Sequence, residues 1–238
     1  MTADPWEEHA GWWQEGFTDG ADPEYEEQIL PLATEHLAGA SSVLDVGTGE
    51  GQVARLAAAK AALVVGVDPS WAQLAVARRR AGGPSYGRAD ATALPFRTGA
   101  FDAVVACLVF EHIDDADGAL AEVGRVLQAG GRFLFFLNHP LLQAPGSGWI
   151  DDHILEEQYW RIGPYLVEDK TMYEVEKDVF LPFVHRPVSR YVNAMADAGG
   201  TCRRMEEPAP PPGFLARTQE YADAASIPRL LLLVTEKA

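Results

Sequence analysis

A glycine-rich turn between a short apolar strand and a helix constrains the fold of this chain more than any other feature. The apolar run at residues 43–46 leads into the sequence GTGEG at residues 47–51, and a helical pattern follows from Gln52 to about Lys60. Glycine lets the backbone turn sharply and approach a ligand without obstruction by a Cβ atom. The sequence therefore predicts a strand, a ligand-binding turn and a helix.

The same strand–helix alternation continues towards the C-terminus. Predicted strands cover residues 63–67, a short segment near Tyr86 that leads to Asp90, residues 101–107, and residues 132–138 after a stop at Gly130 and Gly131. Predicted helices cover residues 70–81 and 115–128. Continuous apolar strands that alternate with amphipathic helices indicate a doubly wound, parallel α/β sheet.

The remaining segments divide the chain into further parts of one predicted domain of 238 residues. Residues 1–40 are predicted to form a helical N-terminal cap, with a helix from Pro23 towards Leu37, and residues 41–138 form the ligand-binding core. Residues 139–186 interrupt the alternation with aromatic and acidic side chains and are interpreted as an inserted lid. Residues 187–238 complete the sheet with a helix at 187–198 and strands at 201–206 and 229–235.

Composition limits the partners that this chain can have. The formal net charge of −16 disfavours binding to the phosphate backbone of a nucleic acid. The chain contains two cysteines, Cys107 and Cys202, without the spacing of a zinc site or a disulfide framework. It begins without a signal-peptide pattern and has no apolar run of membrane-spanning length. We therefore expect a cytoplasmic protein that acts on a small molecule, with no membrane or nucleic-acid partner, as a monomer or homodimer.

The turn differs from the dinucleotide-binding pattern G-x-G-x-x-G. In one register Gln52 occupies the third glycine position, and in the other Ala54 does, which weakens an NAD site without excluding it. Asp45 suits a positively charged ligand better than a pyrophosphate. Asp68 ends the second strand about 20 residues after the turn, where a carboxylate can accept hydrogen bonds from ribose hydroxyls. The ligand is thus expected to contain a ribose and a positive charge.

Several ordered motifs carry a resemblance to a known family. They are Asp45, Gly47, Gly49 and Gly51 in the pattern D-x-G-x-G-x-G, Asp68, and the blocks at residues 87–96, 101–107 and 125–132. The segment from Val43 to Asn138 resembles a class I S-adenosylmethionine-dependent methyltransferase of the ubiquinone and menaquinone C-methyltransferase type. The resemblance implies a Rossmann-like seven-stranded sheet, mostly parallel with an antiparallel C-terminal strand, and S-adenosylmethionine as the cofactor.

The resemblance also implies roles for individual residues. The glycine turn would hold the methionine part of the cofactor, and the Cys107 backbone would bind its ammonium group. Asp68 would bind the ribose hydroxyls. Asp90 and Ala91 would bind the edge of the adenine ring, and Pro69 would pack against its face. Trp13, with Trp12, would fold over the cofactor or pack in the core. The implied cofactor-binding residues are Trp13, Asp45, Gly47, Thr48, Gly49, Gln52, Asp68, Pro69, Asp90, Ala91 and Cys107.

Two histidines are candidates for the chemistry of methyl transfer, which needs a nucleophile held in line and little other catalysis. His112 follows the fourth strand and His139 follows the fifth, so both are expected near the ligand-binding edge. His112 would act as a base or only support its loop, and His139 would contact the substrate or act as a base. In the predicted lid, His153, Tyr159, Trp160 and Tyr165 are expected to line an apolar substrate pocket or to anchor the lid.

Other functions remain open at this point. A chain with the same binding residues could serve as a non-catalytic S-adenosylmethionine-binding regulator or partner subunit, and an NAD-dependent oxidoreductase is a third possibility. Residues 107–110 read Cys-Leu-Val-Phe, and they lack the Asn/Asp-Pro-Pro-aromatic sequence associated with methylation of nucleobase or amide nitrogens. This difference also favours a small-molecule acceptor.

Overall fold

The computed structural model describes residues 5–238. Its N-terminal part is helical, as the sequence predicts for the cap. The elements are α1 (Pro5–Glu8), α2 (Ala10–Gly16), a single π-helical turn (Tyr25–Ile29) and α3 (Leu30–His36), which continues directly from that turn.

The core alternates strands and helices in the predicted order. Its elements are β1 (Ser42–Val46), α4 (Gln52–Ala58), β2 (Leu63–Asp68), α5 (Trp71–Arg80), β3 (Ser85–Arg88), β4 (Phe101–Cys107), a short 3₁₀ turn (Phe110–His112), α6 (Ala116–Val126) and β5 (Leu127–Asn138). Two helices begin at side-chain caps: Ser70 accepts from the backbone N–H of Gln73, and Asp115 accepts from that of Gly118.

The inserted segment contains a short helix and two antiparallel hairpins. Its elements are α7 (Pro140–Gln143), β6 (Gly148–Asp152) paired with β7 (Glu157–Arg161), and β8 (Asp169–Glu176) paired with β9 (Val179–His185). The C-terminal part then forms α8 (Val188–Asp197), β10 (Gly200–Glu206), α9 (Pro212–Leu215), a 3₁₀ turn (Ala224–Ser226) and β11 (Leu230–Lys237).

Seven strands form one sheet in the order β10-β11-β5-β4-β1-β2-β3. Strands β1 to β5 pair in parallel, whereas β11 pairs antiparallel with both β5 and β10. This arrangement confirms the predicted Rossmann-like sheet with its antiparallel C-terminal strand. The strand order reverses between β1 and β4, and open α/β sheets bind ligands at such a reversal, beyond the carboxyl ends of the strands.

Alternate residues of the central strands pack into two apolar layers, one on each face of the sheet. On one face Val104 and Ala106 of β4 pack with residues of α6 and α8. On the other face Ala103, Val105 and Cys107 pack with residues of α3 and α4. Because side chains alternate along a strand, burial of both faces requires the continuous apolar runs seen in the sequence. Both layers keep the carboxyl ends of β1, β2 and β4 in fixed positions.

Two details of the sheet differ from the sequence prediction. Strand β5 begins at Leu127, which already pairs with Phe101, and regular pairing resumes at Arg132 after a register shift. Gly130 has φ of +72°, so the glycine pair forms a bulge within the strand and does not end an element before it. The inserted segment was predicted only as irregular, but in β8 Thr171, Tyr173 and Val175 are half-buried between exposed neighbours, as in a half-buried strand.

Among residues 5–238, no helix combines the length and the apolar character needed to cross a membrane.

Candidate functional site

A cavity of about 470 Å³ lies at the carboxyl ends of β1, β2 and β4, at the point where the strand order reverses. Its size falls in the range of small-molecule sites. All of the cofactor-binding residues implied by the resemblance line this cavity: Trp13, Asp45, Gly47, Thr48, Gly49, Gln52, Asp68, Pro69, Asp90, Ala91 and Cys107. Residues separated by up to 94 positions in the sequence are thus brought to one site.

The glycine turn has a conformation that other residues would disturb. Gly47 has φ of +70°, and a Cβ atom there would collide with the side chain of Val109. Gly51 has φ of +89°, and a Cβ atom there would collide with the Tyr86 hydroxyl. The turn is tied to the next strand because the N–H groups of Gly47 and Thr48 both donate to the Val67 carbonyl, at 2.8 and 2.9 Å. The glycines are therefore needed for both backbone conformation and close packing.

Glu50 anchors the outer side of the turn, a role that sequence reasoning missed. Its carboxylate is buried and forms ion pairs with Arg55, at 2.7 Å, and with Arg80. A buried carboxylate needs such partners because desolvation would otherwise favour its neutral form. These two ion pairs hold the turn against α4 and α5.

Asp68 lies at the cavity wall with its carboxylate fixed by two backbone donors. One oxygen accepts from the N–H of Gly49 at 2.9 Å, and the other accepts from the N–H of Ser70 at 2.8 Å. The same side chain therefore links the end of β2 to the glycine turn and to the start of α5. This position is where the resemblance places the ribose-binding carboxylate.

Asp45 is a buried carboxyl at the end of β1. It accepts a hydrogen bond of 2.7 Å from the Thr48 hydroxyl, and it is 2% exposed. Burial, with a smaller effect of the nearby carboxylates of Asp68 and Glu50, raises the pKa of Asp45 to about 7 against the opposing hydrogen bonds from Thr48 and the Ala54 backbone. An acidic group of this kind favours a cationic ligand, which would stabilise its ionised form.

The other end of the cavity presents the groups expected at an adenine ring. Asp90 is exposed, and one of its oxygens accepts from both the N–H and the hydroxyl of Thr92, at 2.8 and 2.7 Å. Ala91 follows it, and Pro69 lies across the cavity, with its carbonyl held by the Arg88 guanidinium at 2.7 Å.

Aromatic residues of the N-terminal cap cover the cavity. Trp13 stacks on Phe17 with 4.5 Å between ring centroids and meets the edge of Tyr25. Tyr25 lines the cavity from the π-helical turn, and its hydroxyl oxygen lies 3.7 Å from the Cys107 sulfur, which donates to it. Trp6 also lines the cavity. Sequence reasoning included Trp13 but missed Trp6 and Tyr25, since no local pattern shows which cap side chains face the core.

The backbone just beyond β4 is strained. Leu108 has φ of +55°, an uncommon conformation for a residue with a side chain, and its N–H donates to the Phe136 carbonyl at 3.0 Å. Such conformations cost on the order of 1 kcal/mol or more and concentrate at functional sites. Burial raises the pKa of the neighbouring Cys107 thiol, so this thiol stays neutral.

His112 lines the cavity and has a fixed tautomer. Its Nδ1 lies 2.7 Å from the Pro182 carbonyl oxygen, which can only accept, so Nδ1 carries the proton and Nε2 is left with a lone pair. Burial lowers the pKa of His112 to about 4, so the ring is neutral at physiological pH. Trp6 and Phe183 contact the ring edge-on, with centroids at 4.7 and 4.6 Å.

His139 does not line the cavity, contrary to the expectation from its position after β5. It is buried, and its Nδ1 accepts from the N–H of Leu141 at the start of α7. Its Nε2 donates to a Glu207 carboxylate oxygen at 2.7 Å. Both ring nitrogens are therefore used in holding α7 and the segment before α9, which explains this histidine without a ligand.

The four candidate residues of the lid also lie outside the cavity lining. The His153 side chain is 86% exposed, and Tyr159 is exposed. Trp160 packs against Trp149, and the Tyr165 hydroxyl accepts from the N–H of Val188 at the start of α8. These four residues therefore do not surround this cavity, and the β6–β7 hairpin packs instead against the C-terminal part of the chain through Trp149 and Tyr221, which stack at 5.0 Å.

The residues that extend the cavity beyond the expected cofactor site come from other elements: Trp6 of α1 and Val109, His112 and Ile113 after β4. Residues 44–135 match a family described as a methyltransferase domain. The match spans 92 of the 238 residues and includes the glycine turn, Asp68 and Asp90. The cavity fits S-adenosylmethionine, because Gly47 and Gly51 leave no room for Cβ atoms in the turn and the buried Asp45 favours a positively charged group.

A solved structure extends the similarity to most of the chain. An S-adenosylmethionine-dependent methyltransferase from Mesorhizobium loti is 28% identical, with a TM-score of 0.77, over 92% of this chain and 99% of that one.

Curated relatives match a shorter part of the chain. A demethylmenaquinone methyltransferase of Thermus thermophilus is 40% identical over 121 residues, which is 48% of this chain and 54% of the relative. A ubiquinone/menaquinone biosynthesis C-methyltransferase of Methylobacterium nodulans is 38% identical over 132 residues, which is 52% of this chain and 50% of the relative. The chain thus spans about half the length of these curated relatives.

Proposed function

We propose that this protein transfers a methyl group from S-adenosylmethionine to a small molecule whose reacting part is apolar or contains a ring. The observation that carries the proposal is the meeting, in one cavity, of the glycine turn, the carboxylates of Asp45, Asp68 and Asp90, and His112. The two quinone methyltransferases among the relatives support an acceptor with a ring.

Different residues of the chain would bind different parts of the cofactor. Asp45 would balance the ammonium charge beside the glycine turn, Asp68 would accept hydrogen bonds from the ribose, and Asp90 would accept from the adenine amino group. The bound cofactor supplies a methyl group on a sulfonium centre, which is already electrophilic. The protein's main contribution is therefore to hold the acceptor in line and to exclude water, as the aromatic cap over the cavity would do.

The acceptor would bind where the cavity is least polar. Trp6, Val109 and Ile113 line this part, together with His112. Aromatic and aliphatic walls with a single hydrogen-bonding group are typical of sites for apolar or planar molecules. Asp114 and Asp115 lie at the exposed rim of the same cavity.

His112 would orient the nucleophile of the acceptor. Its Nε2 lone pair can accept a hydrogen bond from a hydroxyl, an amine or an acidic carbon. A base whose pKa is about 4 holds a proton poorly at neutral pH, so His112 is better suited to accept a hydrogen bond than to store the proton. We infer a role in positioning and polarising the acceptor.

Methyl transfer to a panel of acceptors tests this function. The purified protein would be incubated with S-adenosylmethionine labelled on its methyl group and with reduced naphthoquinones, phenols and amines. We expect transfer to at least one ring-containing class, with no transfer to nucleic acid because of the charge of −16. Tight binding of S-adenosylhomocysteine without transfer to any acceptor would instead support the alternative, a non-catalytic regulator or partner subunit.

A further inference from the structure

Arg186 is a buried arginine that holds the loop carrying His112. It lies between β9 and α8 and is 4% exposed. Its guanidinium donates to three backbone carbonyls of the loop that follows β4: Phe110 at 3.2 Å, Ile113 at 2.9 Å and Asp114 at 2.7 Å. These carbonyls lie on both sides of His112 in the sequence.

The charge of Arg186 is balanced mainly by these carbonyl dipoles. The nearest carboxylate, that of Glu168, is 3.8 Å from Nε and about half exposed. The Asp114 carboxylate is bound by Lys170 at 2.6 Å instead. The ion pair with Glu168 is therefore longer than the hydrogen bonds to the loop, and the three carbonyls are the closer partners of the buried guanidinium.

The strand that leads to Arg186 also holds the His112 ring. The Pro182 carbonyl of β9 accepts the Nδ1 proton, and Phe183 contacts the ring edge-on. His112 is therefore held in two ways from this part of the chain. Strand β9 holds the orientation and the tautomer of the ring, and Arg186, just after β9, holds the backbone on either side of His112.

We propose that Arg186 is a positioning residue that holds the loop so that His112 directs its Nε2 at the acceptor. This inference rests on the proposed function of His112. It also makes the alignment of His112 depend on how the β8–β9 hairpin is seated, because both supports come from β9 and its end.

Kinetics of three single variants test this role. Arg186→Gln removes the charge and most of the donors, and we expect kcat to fall about 10²-fold while the Kd for S-adenosylhomocysteine stays within twofold, since a displacement of about 1 Å can cost that much in rate. Arg186→Lys keeps the charge but loses the planar donor fork, so we expect a partial loss. Arg190→Lys is the matched control and should leave kcat unchanged, because within residues 5–238 Arg190 of α8 forms its ion pairs with the surface carboxylates of Asp117 and Glu168.

A double variant separates positioning from a general effect on folding. If Arg186 acts through His112, adding Arg186→Gln to His112→Ala should lower kcat no further, because coupled residues are not additive. Additive losses would overturn the proposal. So would a kcat for Arg186→Gln equal to that of the wild type.

Nitrogen NMR of the His112 ring gives a result that does not depend on activity. In the wild type we expect one signal for a protonated Nδ1 and an unprotonated Nε2. In Arg186→Lys the loop is held less well, so the Nδ1 hydrogen bond to the Pro182 carbonyl should be partly lost, and we expect exchange broadening or a mixture of tautomers. An unchanged, single tautomer in Arg186→Lys would overturn the proposal even if Arg186→Gln does not fold. Absence of methyl transfer by the wild type would contradict the proposed function, and the NMR result would then still decide whether Arg186 orders His112.

Discussion

Asp45 combines a proposed binding role with a cost in stability. Its pKa is 3.8 in the reference state and about 7 in the folded protein, so the folded state binds more protons than the unfolded state between these values. The free energy of unfolding therefore falls as pH rises from about 4 to 7, and the full penalty, roughly 4 kcal/mol, is present above pH 7. A group that opposes folding in this way is typical of a functional site.

Replacing Asp45 by Asn should therefore stabilise the empty protein. We expect a higher Tm for Asp45→Asn at pH 8, and a smaller difference from the wild type at pH 5, because Asp45 is then mostly neutral. The affinity for S-adenosylhomocysteine should fall at pH 8. Thermal unfolding at both pH values checks this, and a Tm difference independent of pH would contradict it.

His112 gives a second prediction for a single residue. Replacing it by Ala should lower kcat about 10²-fold, because the acceptor loses its hydrogen-bonding partner, with little change in the affinity for S-adenosylhomocysteine. Because its pKa is about 4, the neutral ring persists above pH 5, and this group should contribute no loss of rate between pH 6 and 9. A His112-dependent loss of rate near pH 6.5 would show that the ring is not buried during catalysis. His153→Ala should have no effect, since that side chain is 86% exposed and outside the cavity.

The elements differ in how much of them the sequence predicts. Strands β1, β2, β4 and β5 are continuous apolar runs, so the sequence alone predicts that both of their faces are buried. The motif residues at the ends of these strands could therefore be assigned to the cavity. The β8–β9 hairpin has shorter alternation with Glu and Lys on its exposed side, and its pairing is visible only in three dimensions. The same reason hides Trp6 and Arg186, whose partners are distant in the sequence.

Helix α1 is held over the cavity by a carboxylate whose role can be tested. Glu7 accepts from the Ser70 hydroxyl at 2.7 Å and from the N–H of Ala72 at 3.2 Å, and the Ser70 hydrogen bond lowers the pKa of Glu7. Glu7→Gln should weaken S-adenosylhomocysteine binding about two- to fivefold at pH 7, as expected for an exposed interaction. This difference should vanish when the pH falls below the lowered pKa. Calorimetry with Glu8→Gln as the control checks it, and equal affinities at pH 7 would contradict it.

The whole molecule depends on two apolar layers that meet at the central strands. Leu44 of β1 is fully buried, whereas Leu63 at the start of β2 is 49% exposed. Leu44→Ala should lower the free energy of unfolding by about 2–5 kcal/mol through lost contacts and a cavity. Leu63→Ala should change it by less than about 1 kcal/mol. Denaturant unfolding measures both, and similar losses would show that the sheet is not packed as described.

Calorimetric titration with S-adenosylhomocysteine and with NAD tests the central claim most directly. We expect micromolar binding of S-adenosylhomocysteine and no signal from NAD. Binding should be lost in Asp68→Ala and kept in Asp197→Ala, whose side chain is exposed at the end of α8. If the folded wild-type protein binds NAD or neither ligand, the assignment of this cavity to S-adenosylmethionine is wrong.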